Sequence, residues 1–275
     1  MFLVTGSNGQ LGHALRRLLG ERAVYADRDE LDITDAAAVN AFVGKGKFEA
    51  IINCAAYTAV DKAESDEALA ARINIDGPAN LAATGTPLVH ISTDYVFDGT
   101  ACRPYIEADR TNPQSVYGRT KLAGERAVLE KASAAVIIRT AWLYSEDGGN
   151  FVKTMRRLGA EKPELRVVFD QIGTPTYAGD LAATIVTVLP GLYPGVKEVY
   201  HFSNEGVCSW YDFACEIMEL SGLNCKVLPI ESKDYPTPAT RPHYSVLNKA
   251  KIKRDFGLTI NHWKESLHKC LQNLS

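Results

Sequence analysis

The chain has 275 residues, 46% hydrophobic and 23% charged, with 30 basic against 33 acidic side chains and a formal net charge of −3. At about 150 residues per domain this makes one or two domains with room for a substantial core, which excludes a disordered, collagenous or disulfide-stapled chain. The balanced charge, without a basic block of about five or six residues, argues against nucleic acid or an anionic membrane as partner and points to a small molecule.

Phe2-Leu3-Val4-Thr5 is too short an apolar run for an export signal, lacks a basic leader, and reads as a first strand. Gly6-Ser7-Asn8-Gly9-Gln10-Leu11-Gly12 follows it and opens a helix from Gln10 to Leu19. Glycines at this spacing permit a sharp turn, close approach of a pyrophosphate to the backbone, and tight contact between helix and strand. Gly6, Gly9, Gln10, Leu11 and Gly12 are therefore the expected dinucleotide-binding turn. A second strand, Ala23 to Ala26, ends at Asp27, 21 residues beyond Gly6, where an acidic side chain usually meets the ribose hydroxyls. Arg28 is suited to a 2′-phosphate that Asp27 would repel, so NADH and NADPH both stay open. Asp32 and Ile33 are expected near the adenine. After a helix over Asp35 to Val43 and a strand over Ala50 to Asn53, the small residues Ala55 and Ala56, with Tyr57, are expected against the second half of the cofactor.

A long helix is expected from Ala59 to Ala83, then a strand from Leu88 to Ser92 that delivers Thr93. Ligands of open α/β sheets bind beyond the carboxyl ends of the strands, so this hydroxyl is placed to orient a carbonyl oxygen. The next helix, Gln114 to Lys131, carries Tyr117 and Lys121 one turn apart on one face, where the ammonium is expected to lower the tyrosine pKa. Tyr193 and Lys197 share that spacing, but Pro194-Gly195 breaks any helix between them. With a fifth strand at Ala135 to Arg139, the alternation gives an α/β fold, a Rossmann-like doubly wound parallel sheet.

Beyond residue 148 the alternation loosens. Helices are expected over Asn150 to Gly159, Tyr177 to Leu189, Trp210 to Ser221 and Asn261 to Leu274, with strands at Arg166 to Phe169 and Val199 to Phe202. Proline and glycine mark loops at 190–195 and 229–242. The expected organisation is a dinucleotide-binding domain over 1–148, to which 166–189 returns, and a smaller mixed C-terminal substrate-binding lobe made of 149–165 and 190–275. The six cysteines form no C-x-x-C pair and no run reaches the roughly 18 apolar residues of a membrane span, so reduced thiols, no membrane and a cytoplasmic setting are expected. Cys54, beside the cofactor segment, is expected to be sensitive to alkylation.

Six strings resemble, in order, those of the dTDP-4-dehydrorhamnose reductases of the extended short-chain dehydrogenase/reductase family. They are Ala55 to Glu64, Ser92 to Gly99, Val116 to Glu125, Arg139 to Tyr144, Asp170 to Thr176 and Pro236 to Pro242. The resemblance implies NAD(P)H-dependent reduction of a 4-keto sugar nucleotide, with Tyr117 as proton donor and Lys121 on the nicotinamide ribose. Thr93 would hold the C4 oxygen, with Asp94 near the sugar, Trp142 on its face and Arg241 on the nucleotide diphosphate. Two alternatives stay open: a reductase of another 4-keto sugar nucleotide, and a non-catalytic regulatory subunit such as the β subunit of methionine adenosyltransferase, which is similar to this family. The related dehydratases carry Thr-Asp-Glu, but Tyr95 stands at the third position here, which favours simple reduction. Some of these reductases also place a glutamate two residues after the third glycine, where it helps bind Mg²⁺ at a dimer interface. His13 and Ala14 follow Gly12 here, implying no metal and a monomer or weak homodimer.

Overall fold

The computed structural model describes residues 1–274. Its first half runs β1 (Phe2–Thr5), α1 (Gln10–Leu19), β2 (Ala23–Ala26), α2 (Ala36–Lys45), β3 (Ala50–Asn53), α3 (Val60–Ala63), α4 (Glu67–Ala71), α5 (Gly77–Ala83), β4 (Leu88–Thr93), α6 (Val116–Lys131) and β5 (Ala135–Thr140). The second half runs β6 (Leu143–Tyr144), α7 (Phe151–Glu161), β7 (Glu164–Val168), β8 (Ile172–Gly173), β9 (Thr176–Tyr177), α8 (Ala178–Val188), β10 (Lys197–His201), β11 (Cys208–Ser209), α9 (Trp210–Leu220), β12 (Lys226–Ile230), α10 (Ala250–Phe256) and α11 (Trp263–Gln272).

Six strands pair in parallel in the order β2-β1-β3-β4-β5-β10, the doubly wound sheet that the apolar runs require. On one face α1 and α8 pack together through Leu11, Leu15, Leu181 and Ile185, and each such burial stabilises by about 1.5–3 kcal/mol. The other face buries Leu3, Ile51 and Ile137 under Val39, Leu81 and Val128 of α2, α5 and α6. Helix starts are fixed by side chains: Asp35 accepts from the N–H groups of Ala37 and Ala38, and Ser115 from that of Gly118, each cap being worth about 1 kcal/mol. The chain leaves β1 for β2 and then crosses back to set β3 on the other side. This reversal opens a crevice beyond the carboxyl ends of β1 and β3.

Two expectations change. The long helix over 59–83 is broken into α3, α4 and α5, with a wide π turn at Arg72–Asp76. The buried Asn74 in that turn bonds the Tyr57 backbone and the Thr120 hydroxyl, and its carbonyl lies so near Gly124 that a Cβ there would sit 2.0 Å away. The division after residue 148 also differs. β7, over Glu164–Val168 where a strand is expected from Arg166, does not return to the main sheet but pairs with β12. Its residues alternate exposed and buried at the start, a pattern unsuited to a strand covered on both faces. Conversely β10, from the stretch assigned to the lobe, forms the sheet edge beside β5, and Ile252 of α10 enters the same core as Tyr200 and Phe202. The remaining C-terminal elements gather around a separate apolar cluster of Tyr144, Val152, Phe213, Ile217, Trp263 and Leu267.

Candidate active site

A cleft of about 910 Å³ opens beyond the carboxyl ends of the strands. At one end Gly6 adopts a left-handed φ of 65° and touches the start of the segment after β3: a Cβ there would lie 2.5 Å from the Ala55 nitrogen. A Cβ on Gly12 would lie 2.5 Å from the Ser7 carbonyl oxygen, so this glycine lets α1 close onto the turn. Gly9 precedes helix α1 at its cap position and offers no capping side chain, which leaves the first N–H groups of the helix for an anion. A backbone cradle that any side chain would fill, at an uncapped helix start, fits a pyrophosphate.

Asp27 secures this turn, accepting from the Asn8 N–H at 2.9 Å and from the Arg28 N–H at 2.8 Å. Arg28, Asp32, Ile33, Thr34, Leu69, Arg72 and Ile73 line the same end. Hydrogen bonds from Thr34 hold the Asp32 carboxyl below its ordinary range, with Arg28 and Arg72 assisting.

Thr93 ends β4 and donates to the Asp94 carboxylate at 2.9 Å. Both are buried and line the cleft with Tyr117 and Lys121 of α6. The Tyr95 ring meets that of Tyr117 edge-on at 5.4 Å. Lys121, 2% exposed, donates through Nζ to the Ile91 carbonyl at 2.7 Å. One turn further, Glu125 accepts from the Ser92 hydroxyl and takes two hydrogen bonds from Arg139, at 2.9 and 2.7 Å.

Burial governs the titration of this cluster. It pushes Tyr117 up to about 12, opposed by hydrogen bonding to Thr93 and reinforced by the Asp94 charge. This corrects the expectation of a lowered tyrosine: Lys121 is turned to the Ile91 carbonyl, and desolvation of the phenolate dominates. Lys121 itself is pushed down to about 8 by burial, with Glu125 opposing. Asp94 is pushed up to about 6, again by burial. The Cys54 thiol is pushed up to about 12 by burial, so its expected reactivity gives way to a suppressed thiolate. At neutral pH the cluster therefore presents a protonated phenol beside a hydroxyl.

The facing wall is aromatic. Trp142 stacks on Trp210 with centroids 3.6 Å apart and planes 10° from parallel, and Phe151 and Phe213 continue the surface.

A family model described as "RmlD substrate binding domain" matches residues 1–275. The chain belongs to this family. It is 44% identical over 277 residues to a dTDP-4-dehydrorhamnose reductase of Streptomyces griseus, covering 97% of this chain and 91% of that protein. The crystal structure of a dTDP-4-dehydrorhamnose reductase from Clostridium acetobutylicum superposes with a TM-score of 0.95 at 46% identity, covering 99% of both chains. That of Bacillus anthracis, solved in complex with NADP, gives a TM-score of 0.95 at 39% identity, covering 99% of this chain and 98% of that one.

Within this RmlD-family cleft the structure brings together the glycine turn, Asp27, Arg28, Asp32, Ile33, Ala55, Ala56, Thr93, Asp94, Tyr117, Lys121 and Trp142. Two expected residues stand elsewhere. Tyr57 turns away from the cleft, its N–H held by the Asn74 side chain at 2.8 Å and its ring packed with Ala63, Ala70 and Val116. Arg241 pairs with Asp61 of α3, Nη2 to Oδ2 at 2.7 Å, a nearby carboxylate having met the guanidinium. Arg72, Phe151, Trp210 and Phe213 line the cleft without having been foreseen. Arg72 lay inside what reads as an ordinary helix, and the three aromatics follow helical spacing that reads as core. Among the described residues, no group of three or more His, Cys, Asp or Glu is arranged for a metal ion, and no helix is long and apolar enough to cross a membrane.

Proposed function

We propose that this chain reduces the 4-keto group of dTDP-4-dehydro-L-rhamnose to give dTDP-L-rhamnose in nucleotide-sugar biosynthesis, using NADPH or NADH. The observation that carries this reading is the placement of Tyr117, Thr93 and Lys121 in the one cleft that also holds the Gly6–Gly12 turn. The family relatives support the same reaction. When bound, the reduced nicotinamide supplies the hydride.

The chain's own groups do the rest. The N–H groups of the turn and of the start of α1 bind the pyrophosphate, and Asp27 keeps the turn in shape. Ala55 and Ala56 let the backbone approach the cofactor. Arg28 and Arg72 at the ribose end favour a 2′-phosphate and hence NADPH. Thr93 orients the C4 oxygen, and Tyr117 gives it a proton as negative charge develops there. With its pKa raised to about 12 the phenol is protonated at neutral pH and has the proton to give. Lys121 meets the nicotinamide ribose, while Asp94 and Trp142 contact the sugar.

The decisive assay follows the decay of NADPH fluorescence against a panel of 4-keto sugar nucleotides. Oxidation fastest with dTDP-4-dehydrorhamnose is expected; a chain that binds NADPH but oxidises it with no sugar in the panel is a binding subunit instead. We also propose a metal-free monomer or weak homodimer working in the cytoplasm. Dialysis against EDTA should leave activity and molecular mass unchanged, and a large loss of either overturns that proposal.

A further inference from the structure

Trp142 and Trp210 come from different parts of the fold and are held to different degrees. Trp142 lies two residues beyond Thr140, which pairs in register with Thr93 at the end of the sheet. A sugar held by Thr93 therefore lies next to this indole. Trp142 is fixed in place. Its backbone has a φ of 49°, rare for a bulky residue, its carbonyl accepts from the Thr176 N–H at 3.1 Å, and the next residue enters β6. The indole rests against Gly173, where a Cβ would come within 2.6 Å of Cε2.

Trp210 has fewer constraints. It is the first residue of α9, whose Ser209–Asp212 capping box secures the backbone but not the indole. Its ring meets Trp142 on one side, Phe151 at 4.7 Å and 54° on another and Phe213 at 6.5 Å and 42°, and it is only partly buried. Among the described residues neither of these indole N–H groups donates to a protein acceptor, so the pair is held by ring and apolar contacts and not by hydrogen bonds. At 3.6 Å no ring fits between them.

We infer that Trp210 is a specificity-determining residue: its indole leaves Trp142 when the sugar nucleotide enters, and the exposed aromatic faces receive the apolar face and deoxygenated carbon of a 6-deoxyhexose. The chemistry suits that ligand. The hydroxyls of Thr93 and Tyr117 face the reacting carbonyl, while the opposite wall offers π faces and two unpaired N–H donors. The identity of the sugar rests on the reductase reading; the opening of the stack does not.

Two tryptophans this close give an exciton couplet in far-ultraviolet circular dichroism, whereas Trp263 is buried in the neighbouring apolar cluster and supplies a constant background. The full chain with saturating NADPH is titrated with dTDP and with dTDP-L-rhamnose, and binding of each is measured by calorimetry. The couplet should persist with NADPH and with dTDP and collapse with dTDP-L-rhamnose. Trp210→Leu should raise KM for the 4-keto sugar nucleotide about tenfold with kcat and inhibition by dTDP unchanged, and Trp210→Phe should fall between it and wild type. The Phe variant guards against a folding defect in the Leu variant.

A couplet that survives bound dTDP-L-rhamnose, or a wild-type KM in both variants, overturns the assignment. A collapsing couplet in a protein that reduces no 4-keto sugar overturns the reductase reading and leaves the gate standing. No binding of dTDP-L-rhamnose overturns the choice of sugar, and a couplet that then survives saturation with the panel member that oxidises NADPH fastest, or with every member of the panel where none oxidises it, overturns the opening of the stack.

Discussion

The two walls of the cleft are built by different means. On one, Thr93, Tyr117 and Lys121 sit on a strand end and on a sixteen-residue helix packed against the six-stranded sheet, Thr93 and Lys121 buried and Tyr117 partly so, with Lys121 tied to a backbone carbonyl and Glu125 and Arg139 paired beneath. On the other, Trp142, Phe151, Trp210 and Phe213 hang from short strands and helix starts and meet one another through ring contacts. The proton-handling wall depends on fixed positions and on burial that moves pKa values. The recognising wall needs breadth and adaptability more than exact placement. Precision is concentrated where the supporting elements are regular, as physical preorganisation requires.

The largest expected effect lies on the rigid wall. Tyr117→Phe removes one hydroxyl and should lower kcat by about 10²–10⁴-fold, the usual worth of a positioned general acid, while calorimetry finds NADPH affinity unchanged. A loss below tenfold would move the proton donor elsewhere. Next is Glu125→Ala, which strands Arg139 at a site where the paired side chains are 2% and 6% exposed. It should destabilise the fold by about 3–5 kcal/mol in urea unfolding. Because Glu125 supports the charge on Lys121, the lysine pKa should also fall further below about 8. A neutral effect on stability would show that the rigid wall does not depend on this pair.

The same contrast decides what can be read from the amino-acid chain. The strand runs from Phe2 to Arg139 are apolar on both faces and adjacent to glycine turns, so β1 to β5 and the ligand end of the sheet follow from local pattern. Thr93 and the Tyr117–Lys121 pair are found because strand ends and helical spacing place them. Tyr57 is not, since the side on which its ring emerges depends on Asn74, a partner seventeen residues away in a π turn. The fate of 164–230 is equally non-local: β7 chooses β12 and β10 chooses β5 across long stretches of chain. The resemblance puts Arg241 on the nucleotide diphosphate, but a salt bridge to Asp61 is a tertiary fact. The tyrosine pKa rises for a related reason, because desolvation is set by everything packed around a group and not by the neighbour one turn away.

Asp94 offers a smaller effect with an opposite sign for stability and activity. Its carboxyl rises from 3.8 to about 6 on burial, so the folded chain binds this proton more tightly than the unfolded chain. The stabilisation is present below about pH 4 and is lost as pH rises to about 6, which leaves a penalty of up to about 3 kcal/mol at neutral pH. Asp94→Asn should therefore raise the urea midpoint at pH 7, flatten its change between about pH 4 and 6, and reduce turnover. A variant that is less stable at pH 7 would show that the hydrogen bond from Thr93 outweighs the buried charge.

The smallest effect tests the seam between the walls. Arg241 reaches from the 232–243 loop to Asp61 of α3, whose Oδ1 also accepts from the Ala239 N–H at 3.2 Å. The side chains are 27% and 39% exposed, so solvent screening limits the pair to about 1 kcal/mol or less, and Asp61→Ala should move stability no further than that. Its kinetic effect separates a strap from a reserve of charge. If the guanidinium transfers to the nucleotide diphosphate, Asp61→Ala releases it and leaves KM for the sugar nucleotide equal or lower, whereas Arg241→Ala raises KM by an amount that shrinks as salt screens the charge. If the pair only straps the loop, both variants raise KM alike, because each frees the same segment. The first outcome is expected: a bidentate arginine at a partly solvated rim gives up one carboxylate for a diphosphate at little cost, while the same exchange on the buried Glu125–Arg139 pair would leave a charge stranded.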